Sequence, residues 1–178
     1  MSHTSIKEVF AAINRMQSDG VIDRYAIGGA VGATFYLEPV ATLDVDVFIA
    51  FHPEPGHLIL SPQPIFDYLT TLGATIEGEY LVIAGWPVQF LPPTNTLVEE
   101  AIAEARQTDV DGEPTWVFTA EHLAAIALQT GRAKDKARLL QFIEAGALDT
   151  DRLDAILKKH GLAKKWQKFE RQFLKDEP

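Results

Sequence analysis

Two aspartates separated by a single residue are the first sign of chemistry in this chain. Asp44 and Asp46 alternate with the apolar residues around them, and this period of two predicts a β-strand. Because side chains two apart on a strand point to the same face, both carboxylates would aim at one place. Two like charges held that close repel each other and are usually found with a cation that offsets the cost. The pair therefore predicts a metal site.

A glycine pair lies upstream of the aspartates. A short apolar strand is predicted at 25–27, and Gly28 and Gly29 follow it directly. A backbone without Cβ atoms can approach a phosphate closely, so a glycine turn suits a phosphate ligand. A glycine turn followed by a carboxylate pair predicts a metal-bound polyphosphate.

The elements that would position these residues alternate between helices and strands up to residue 118. Helices are predicted at 4–18, 31–37, 61–72 and 96–106, and strands at 25–27, around Asp44 and Asp46, and at 75–84, 86–91 and 115–118. From Thr119, a suitable helix N-cap, the pattern is helical throughout. The sequence therefore predicts an α+β fold: a mixed β-sheet with flanking helices over residues 1–118, and a C-terminal helical region over 119–178.

The composition is that of a globular protein without thiol chemistry. The chain has 178 residues, 47% of them hydrophobic, and no cysteine, which excludes disulfides, zinc–thiolate clusters and cysteine nucleophiles. No apolar run approaches the roughly 18 residues that a membrane span requires. The N-terminal segment has helical periodicity rather than the pattern of a signal peptide. We expect a soluble, cytoplasmic protein with no membrane partner.

Charge is distributed unevenly along the chain. The net charge is −9, which disfavours bulk attraction to nucleic acid. Eight of the 16 Lys and Arg residues lie between Arg152 and Lys175, where Asp154 and Glu170 are the acidic residues. The rest of the chain holds the other 8 basic residues and 23 of the 25 acidic residues. The basic segment has two readings: a nucleic-acid-binding tail, or a solvated, self-complementary set of helix faces.

The glycine and aspartate motifs together resemble the signature of the nucleotidyltransferase superfold, the group that includes DNA polymerase beta-like enzymes. That signature is an apolar residue and Gly-Gly, a spacer, then two carboxylates around an apolar residue. The chain has Ile27-Gly28-Gly29 and Asp44-Val45-Asp46, with Thr42 before the pair. A second stretch, from Gly131 to Asp135, looks like a helix motif of small bacterial members related to the abortive-infection toxin nucleotidyltransferases.

The resemblance implies metal-assisted nucleotidyl transfer from an NTP. Asp44 and Asp46 would be the catalytic pair and would hold Mg²⁺ or Mn²⁺ through their oxygens. The nucleotide-binding residues would be Gly28, Gly29, Thr42, Arg132, Lys134 and Asp135. The acceptor would be RNA or a protein, in a toxin–antitoxin or defence system with an antitoxin-like partner.

Two positions depart from the pattern that this resemblance implies. The superfold has a third carboxylate on a later strand, whereas the matching stretch here, 87–91, carries the neutral Gln89. An amide oxygen is a weaker ligand than a carboxylate and cannot deprotonate an attacking hydroxyl. The related toxins also tend to have a lysine where this chain has Ala127. The alternative is therefore a catalytically degenerate module of the same fold that binds a nucleotide or a partner.

A carboxylate from a different position would restore the missing group. The candidates for this substitution are Asp67, Glu77 and Glu79.

Overall fold

The structure is a computed structural model that describes residues 6–37, 44–50 and 62–174. Its helices are α1 (Lys7–Ser18), α2 (Gly29–Ala33), α3 (Gln63–Thr71), α4 (Thr96–Ala103), α5 (Ala120–Thr130), α6 (Ala133–Glu144), α7 (Thr150–Lys159) and α8 (Ala163–Phe173). Its strands are β1 (Arg24–Gly28), β2 (Val45–Ala50), β3 (Thr75–Glu77), β4 (Tyr80–Ile83), β5 (Trp86–Leu91), β6 (Arg106–Val110) and β7 (Glu113–Val117). The predicted α+β class is confirmed.

The described strands form one seven-stranded mixed sheet in the order β3-β4-β5-β2-β1-β7-β6. Strand β2 pairs antiparallel with β1 and parallel with β5, and β1 pairs parallel with β7. In this register Gly28 lies opposite Asp46, and Asp46 lies beside Gln89. Segments far apart in sequence therefore meet at one end of the central strands.

The alternation in β2 divides its side chains between the two faces of the sheet. Val45, Val47 and Ile49 are buried against α1 and α3 in one hydrophobic core. Burying a valine or isoleucine side chain contributes about 1.5–3 kcal/mol, so this face fixes the strand register. Asp46 and Phe48 consequently lie on the opposite face, where Phe48 contacts Phe118 with ring centroids 5.0 Å apart.

The C-terminal helices build a core of their own and also pack on the sheet. Leu128, Leu139 and Phe169 belong to a cluster formed by α4 to α8, whereas Leu123 packs with Phe118 at the sheet. Helix α5 begins where predicted, because the Thr119 hydroxyl accepts a hydrogen bond from the backbone of His122. The division at residue 118 stays a prediction. None of the helices in the described ranges has the length and apolarity needed to cross a membrane.

The helix after the glycine pair and the helix at 96–106 differ from their predicted bounds. Helix α2 begins at Gly29 and ends at Ala33, not at 31–37, because the chain enters it through a tight turn with φ +58° at Gly29. Helix α4 ends at Ala103, three residues early, because Arg106 already starts a strand.

Strand β6 was not predicted, and the strand at 75–84 is divided. Strand β6 is polar because it is an edge strand with mostly exposed side chains, so it lacks apolar alternation. It pairs antiparallel with β7. A two-residue hairpin turn, Asp111 and Gly112, joins the two strands, and both residues have positive φ. Gly78, with φ +62°, makes the turn that separates β3 from β4.

Candidate active site

The turn from β1 into α2 lies directly against β2. Gly29 has φ +58°, a conformation that L side chains rarely adopt, and a Cβ there would collide with Oδ2 of Asp46. At Gly28 a Cβ would lie 2.7 Å from the Phe48 ring and 2.9 Å from the Phe118 ring. Both glycines are therefore needed for the backbone to reach the carboxylate of Asp46.

Asp44 and Asp46 stand at the start of β2, on the face away from the α1 and α3 core. Burial raises the pKa of Asp46, and the neighbouring charge of Asp44 raises it further. The hydroxyl of Tyr80 donates a hydrogen bond to Oδ2 of Asp44 over 3.3 Å. The charge of Asp44 raises the pKa of Tyr80, which keeps this hydroxyl a donor. The two carboxylates thus repel each other when both are ionised.

Gln89 occupies the position beside Asp46 on the neighbouring strand. Because β2 and β5 are parallel and these two residues are register partners, their side chains project from the same face of the sheet. Both also line the same cleft. Of the acidic residues considered as substitutes, Asp67 lies in α3, Glu77 in β3 and Glu79 in the turn before β4. All three are exposed and outside the lining.

The positive charges near the aspartates come from the start of α6. The charges of Arg138, Lys134 and Arg132 act to lower the pKa of Asp46, against the effect of burial. Asp135 is buried at 2% exposure and accepts a hydrogen bond from Nε of Arg132 over 2.7 Å. Its other oxygen lies 3.8 Å from Nη1 of Arg138. Asp135 therefore orients two arginines beside the carboxylate pair.

These groups surround a cleft of about 260 Å³ between the sheet and helices α4, α5 and α6. Its polar residues include Gly29, Asp46, Gln89, Asn95, Gln129, Arg132, Asp135 and Arg138. Its apolar wall includes Val98, Phe118, Leu123 and Ile126. The cleft thus combines carboxylates and arginines with an apolar lining.

A larger cavity of about 460 Å³ lies at the other end of β1. It is lined by Arg24, Tyr25 and Trp116, and Asp23 supplies its one carboxylate. Asp46 lines the smaller cleft, and the charge of its neighbour Asp44 acts on it, so the smaller cleft is the candidate active site.

The donor set at the candidate site fits a hard divalent cation. Asp44 and Asp46 offer carboxylate oxygens and Gln89 an amide oxygen, the ligand types that such ions prefer. Within the described ranges, neither aspartate forms an ion pair with a basic side chain. A bound cation would therefore offset a charge repulsion that the basic residues of α6 compensate only in part.

Most of the residues singled out from the sequence converge on this cleft. Gly29, Asp46, Gln89, Arg132 and Asp135 line it, whereas Gly28 and Asp44 are neighbours of these residues but do not line it. Thr42 lies outside the described residues. Lys134 is exposed and is not among the lining residues, although its charge acts on Asp46.

Sequence reasoning did not single out Tyr80, and it named Arg138 only as an ion-pair partner of Asp135, a pair that the structure contains. Arg138 lies one helical turn after Lys134, so helical periodicity alone could have placed it beside the predicted cations. Tyr80 reaches Asp44 through the pairing of β4 with β5 and of β5 with β2, and the second pairing joins strands far apart in sequence.

Comparison with known proteins finds similarity in structure alone. No protein-family model and no curated protein matches the chain. A solution structure of the antibiotic-resistance factor ANT(2'')-Ia is similar over 97% of this chain and 98% of its own, with a TM-score of 0.54 and 15% identity. A crystal structure of ANT(2'')-Ia in complex with adenylyl-2''-tobramycin covers 90% of this chain and 98% of its own, with a TM-score of 0.53 and 14% identity.

A third similar structure is an antigenic nucleotidyltransferase-like protein from Paracoccidioides brasiliensis. It covers 94% of each chain, with a TM-score of 0.50 and 15% identity. The chain has a nucleotidyltransferase fold. The superfold that Gly28-Gly29 and Asp44-Val45-Asp46 resemble is thereby confirmed.

Replacing Gly29 by alanine tests the contact between the glycine turn and β2 of this nucleotidyltransferase fold. We expect Gly29→Ala to lower the free energy of unfolding by about 1–3 kcal/mol, because the residue is strained at positive φ and its methyl group displaces Asp46. The matched control is Gly78→Ala, where φ is +62°, close to that of Gly29, and a Cβ meets nothing within 4 Å. Urea unfolding measures both variants. Equal destabilisation would mean that the contact with Asp46 carries no energetic weight.

The raised pKa of Asp46 predicts that Asp46→Asn stabilises the metal-free protein. In the folded state the carboxyl group binds its proton more tightly than in the unfolded state, so wild-type stability falls as pH rises through the folded pKa. The variant should therefore melt at a higher temperature at pH 7 in EDTA, and the difference should vanish as pH falls below the ordinary value of 3.8.

The matched control for that measurement is Asp67→Asn, which removes an exposed charge whose hydrogen bond from Gln63 an asparagine oxygen can keep. It should melt close to wild type. A stabilisation by Asp67→Asn equal to that by Asp46→Asn would attribute the effect to net charge and refute the local repulsion.

Proposed function

We propose that this protein is a metal-dependent nucleotidyltransferase that transfers a nucleoside monophosphate from an NTP to a hydroxyl of RNA or protein. The observation that carries the proposal is the cleft itself: a paired carboxylate and a glycine turn on one side, and oriented arginines on the other. This is an arrangement that suits a polyphosphate with its metal ion. The fold supports the same activity class.

Residues in and beside the cleft bind the metal ion, the phosphates and the nucleobase in this proposal. Asp44 and Asp46 hold Mg²⁺ or Mn²⁺, which when bound stabilises charge on the phosphates. Arg132 and Arg138 donate to phosphate oxygens with guanidinium groups held by Asp135. The apolar wall around Leu123 and Ile126 is suited to the nucleobase.

The proposed reaction is a substitution at the α-phosphorus of the NTP. The acceptor hydroxyl oxygen forms a bond to the α-phosphorus, and the bond from that phosphorus to the bridging oxygen breaks, so pyrophosphate leaves. The hydroxyl proton passes to solvent, because Gln89 beside Asp46 has no basic oxygen to receive it.

The exposed basic residues of α8 favour RNA as the acceptor. Lys164, Lys168 and Arg171 are exposed and form no ion pair with another described residue. Lys165 from the same helix donates to the backbone oxygen of Gln129, a residue that lines the cleft. An anionic strand bound along α8 would therefore reach the cleft. By contrast, Lys158 and Lys159 pair with Asp154 and Glu100 and support the self-complementary reading for α7.

The proposed toxin–antitoxin or defence setting, with an antitoxin-like partner, is supported by the resemblance of the segment from Gly131 to Asp135. The cytoplasm is the compartment that fits an NTP substrate and a chain without cysteine.

A second candidate function is a binding module that holds the metal–NTP complex without turnover. Gln89 beside Asp46 favours it, because a neutral amide replaces the group that would bind a second metal or accept a proton. Ala127, which lines the cleft where related toxins tend to have a lysine, favours it as well.

Labelled nucleotides distinguish the two functions. We expect transfer of label from one α-³²P-labelled NTP to total RNA in the presence of Mg²⁺ or Mn²⁺, with a fall to background in Asp44→Asn/Asp46→Asn because the metal ligands are lost. Protein and tobramycin are tested as parallel acceptors, the latter because one structure of this fold contains adenylyl-2''-tobramycin. Metal-dependent NTP binding without any transfer would favour the binding module, and no NTP binding would refute both functions.

Replacing Gln89 by aspartate tests the importance of the missing carboxylate. We expect Gln89→Asp to raise the transfer rate roughly tenfold or more, since it supplies both an oxygen ligand and a proton acceptor beside Asp46. The matched control is Gln129→Glu, which adds a carboxylate to the same cleft but lies on α5 rather than beside Asp46. An equal response of both variants would show that added charge, and not its position on β5, changes the rate.

A further inference from the structure

A second group of metal-ligand side chains lies outside the cleft, between α4 and α5. Glu100 of α4, Glu104 directly after α4 and His122 of α5 each offer one ligand atom, and these atoms lie within 4.8 Å of one another. None of the three lines the candidate active site. The proposed nucleotidyl transfer does not use them.

The imidazole of His122 is held so that one nitrogen faces both carboxylates. The ring is fully buried, and its Nδ1 lies 2.7 Å from Oγ1 of Thr119. Its Nε2 lies 3.1 Å from Oε2 of Glu100 and 3.6 Å from Oε2 of Glu104. A single N–H proton on Nε2 can serve Glu100 alone, because 3.6 Å is too long for a hydrogen bond. The carboxylate of Glu104 faces the imidazole and accepts no hydrogen bond from another residue within the described ranges.

The two separations from His122 to the carboxylates match those of ligands around a small transition-metal ion. Two donors bound tetrahedrally at roughly 2.0–2.1 Å from one ion lie about 3.4 Å apart. The two separations measured from Nε2, 3.1 and 3.6 Å, bracket this value. The side chain of Glu104 is 48% exposed, so an ion can reach the site from solvent and keep water at an open position.

Neighbouring side chains fix the carboxylate of Glu100 and keep it charged. His160 lies with Nε2 2.8 Å from Oε2, and the Lys159 ammonium donates to Oε1 over 2.5 Å. Burial opposes ionisation of Glu100, but the hydrogen bonds from Lys159, His160 and His122 together lower its pKa to about 2. When the two histidines are neutral, one ammonium faces two carboxylates, and the cluster carries a net negative charge that a divalent cation offsets.

We propose that Glu100, Glu104 and His122 form a binding site for a zinc-class divalent cation, separate from the nucleotide cleft. An imidazole nitrogen together with carboxylate oxygens selects Zn²⁺, Co²⁺ or Ni²⁺ over Mg²⁺, which prefers oxygen ligands alone. The ion joins the end of α4 to the first turn of α5, and thereby fastens the C-terminal helices to the sheet. Its role is structural.

Cobalt titration of a variant without the nucleotide site tests this proposal. Metal-free Asp44→Asn/Asp46→Asn protein is titrated with Co²⁺, and we expect one equivalent to bind with the visible absorption of low-coordinate Co²⁺. Zn²⁺ should displace it and raise the melting temperature, because binding to the folded state alone stabilises that state. Mg²⁺ in excess should not displace it.

The variant that decides the assignment is Glu104→Gln, which changes an exposed residue and leaves the hydrogen bonds of buried His122 intact. It should weaken Co²⁺ binding by roughly 10- to 100-fold. Glu99→Gln, a neighbouring exposed residue outside the cluster, is the matched control and should bind as the parent does. Absence of the Co²⁺ absorption, or unchanged affinity in Glu104→Gln, would overturn the proposal and leave a hydrogen-bonded cluster only. Either result is independent of NTP binding, which is measured separately in the wild-type chain.

Discussion

The antiparallel pairing of β1 with β2 brings Gly28 opposite Asp46, and the candidate site depends on this contact. The pairing leaves so little room that a Cβ at Gly29 would occupy the position of a carboxylate oxygen of Asp46. The register itself is set on the other face of β2, where Val45 and Val47 are buried under α1 and α3. The position of a functional carboxylate thus follows from the packing of apolar neighbours on the same strand.

Burial of Asp46 and its repulsion by Asp44 lower the stability of the metal-free chain. Asp46 is half-buried next to another carboxylate, and the pKa of Asp46 is raised as a result. Arg132 and Arg138 reduce this electrostatic cost without forming an ion pair with Asp46, because both pair with Asp135 instead. The aspartates and the arginines do not neutralise each other directly, so both remain available to a ligand that carries a metal ion and phosphates.

Local sequence signals predicted helices that begin and end at capping residues. Helix α5 begins after Thr119 and ends at Gly131, as an N-cap hydroxyl and a left-handed glycine indicate. Strand β6 was missed because an exposed edge strand needs no apolar alternation, and the early end of α4 follows from that same strand. Helix α2 starts two residues early because the glycine turn is tighter than its sequence suggests.

The sequence by itself determined the superfold and the carboxylate pair, because the glycine turn and Asp44 with Asp46 are local motifs whose spacing is read directly along the chain. Tertiary structure alone decided what surrounds them. Parallel pairing of β5 with β2 sets Gln89 beside Asp46, and helix packing brings Glu100 to His122. Such contacts join residues far apart in sequence through burial of apolar faces, so no local pattern of polar residues encodes them.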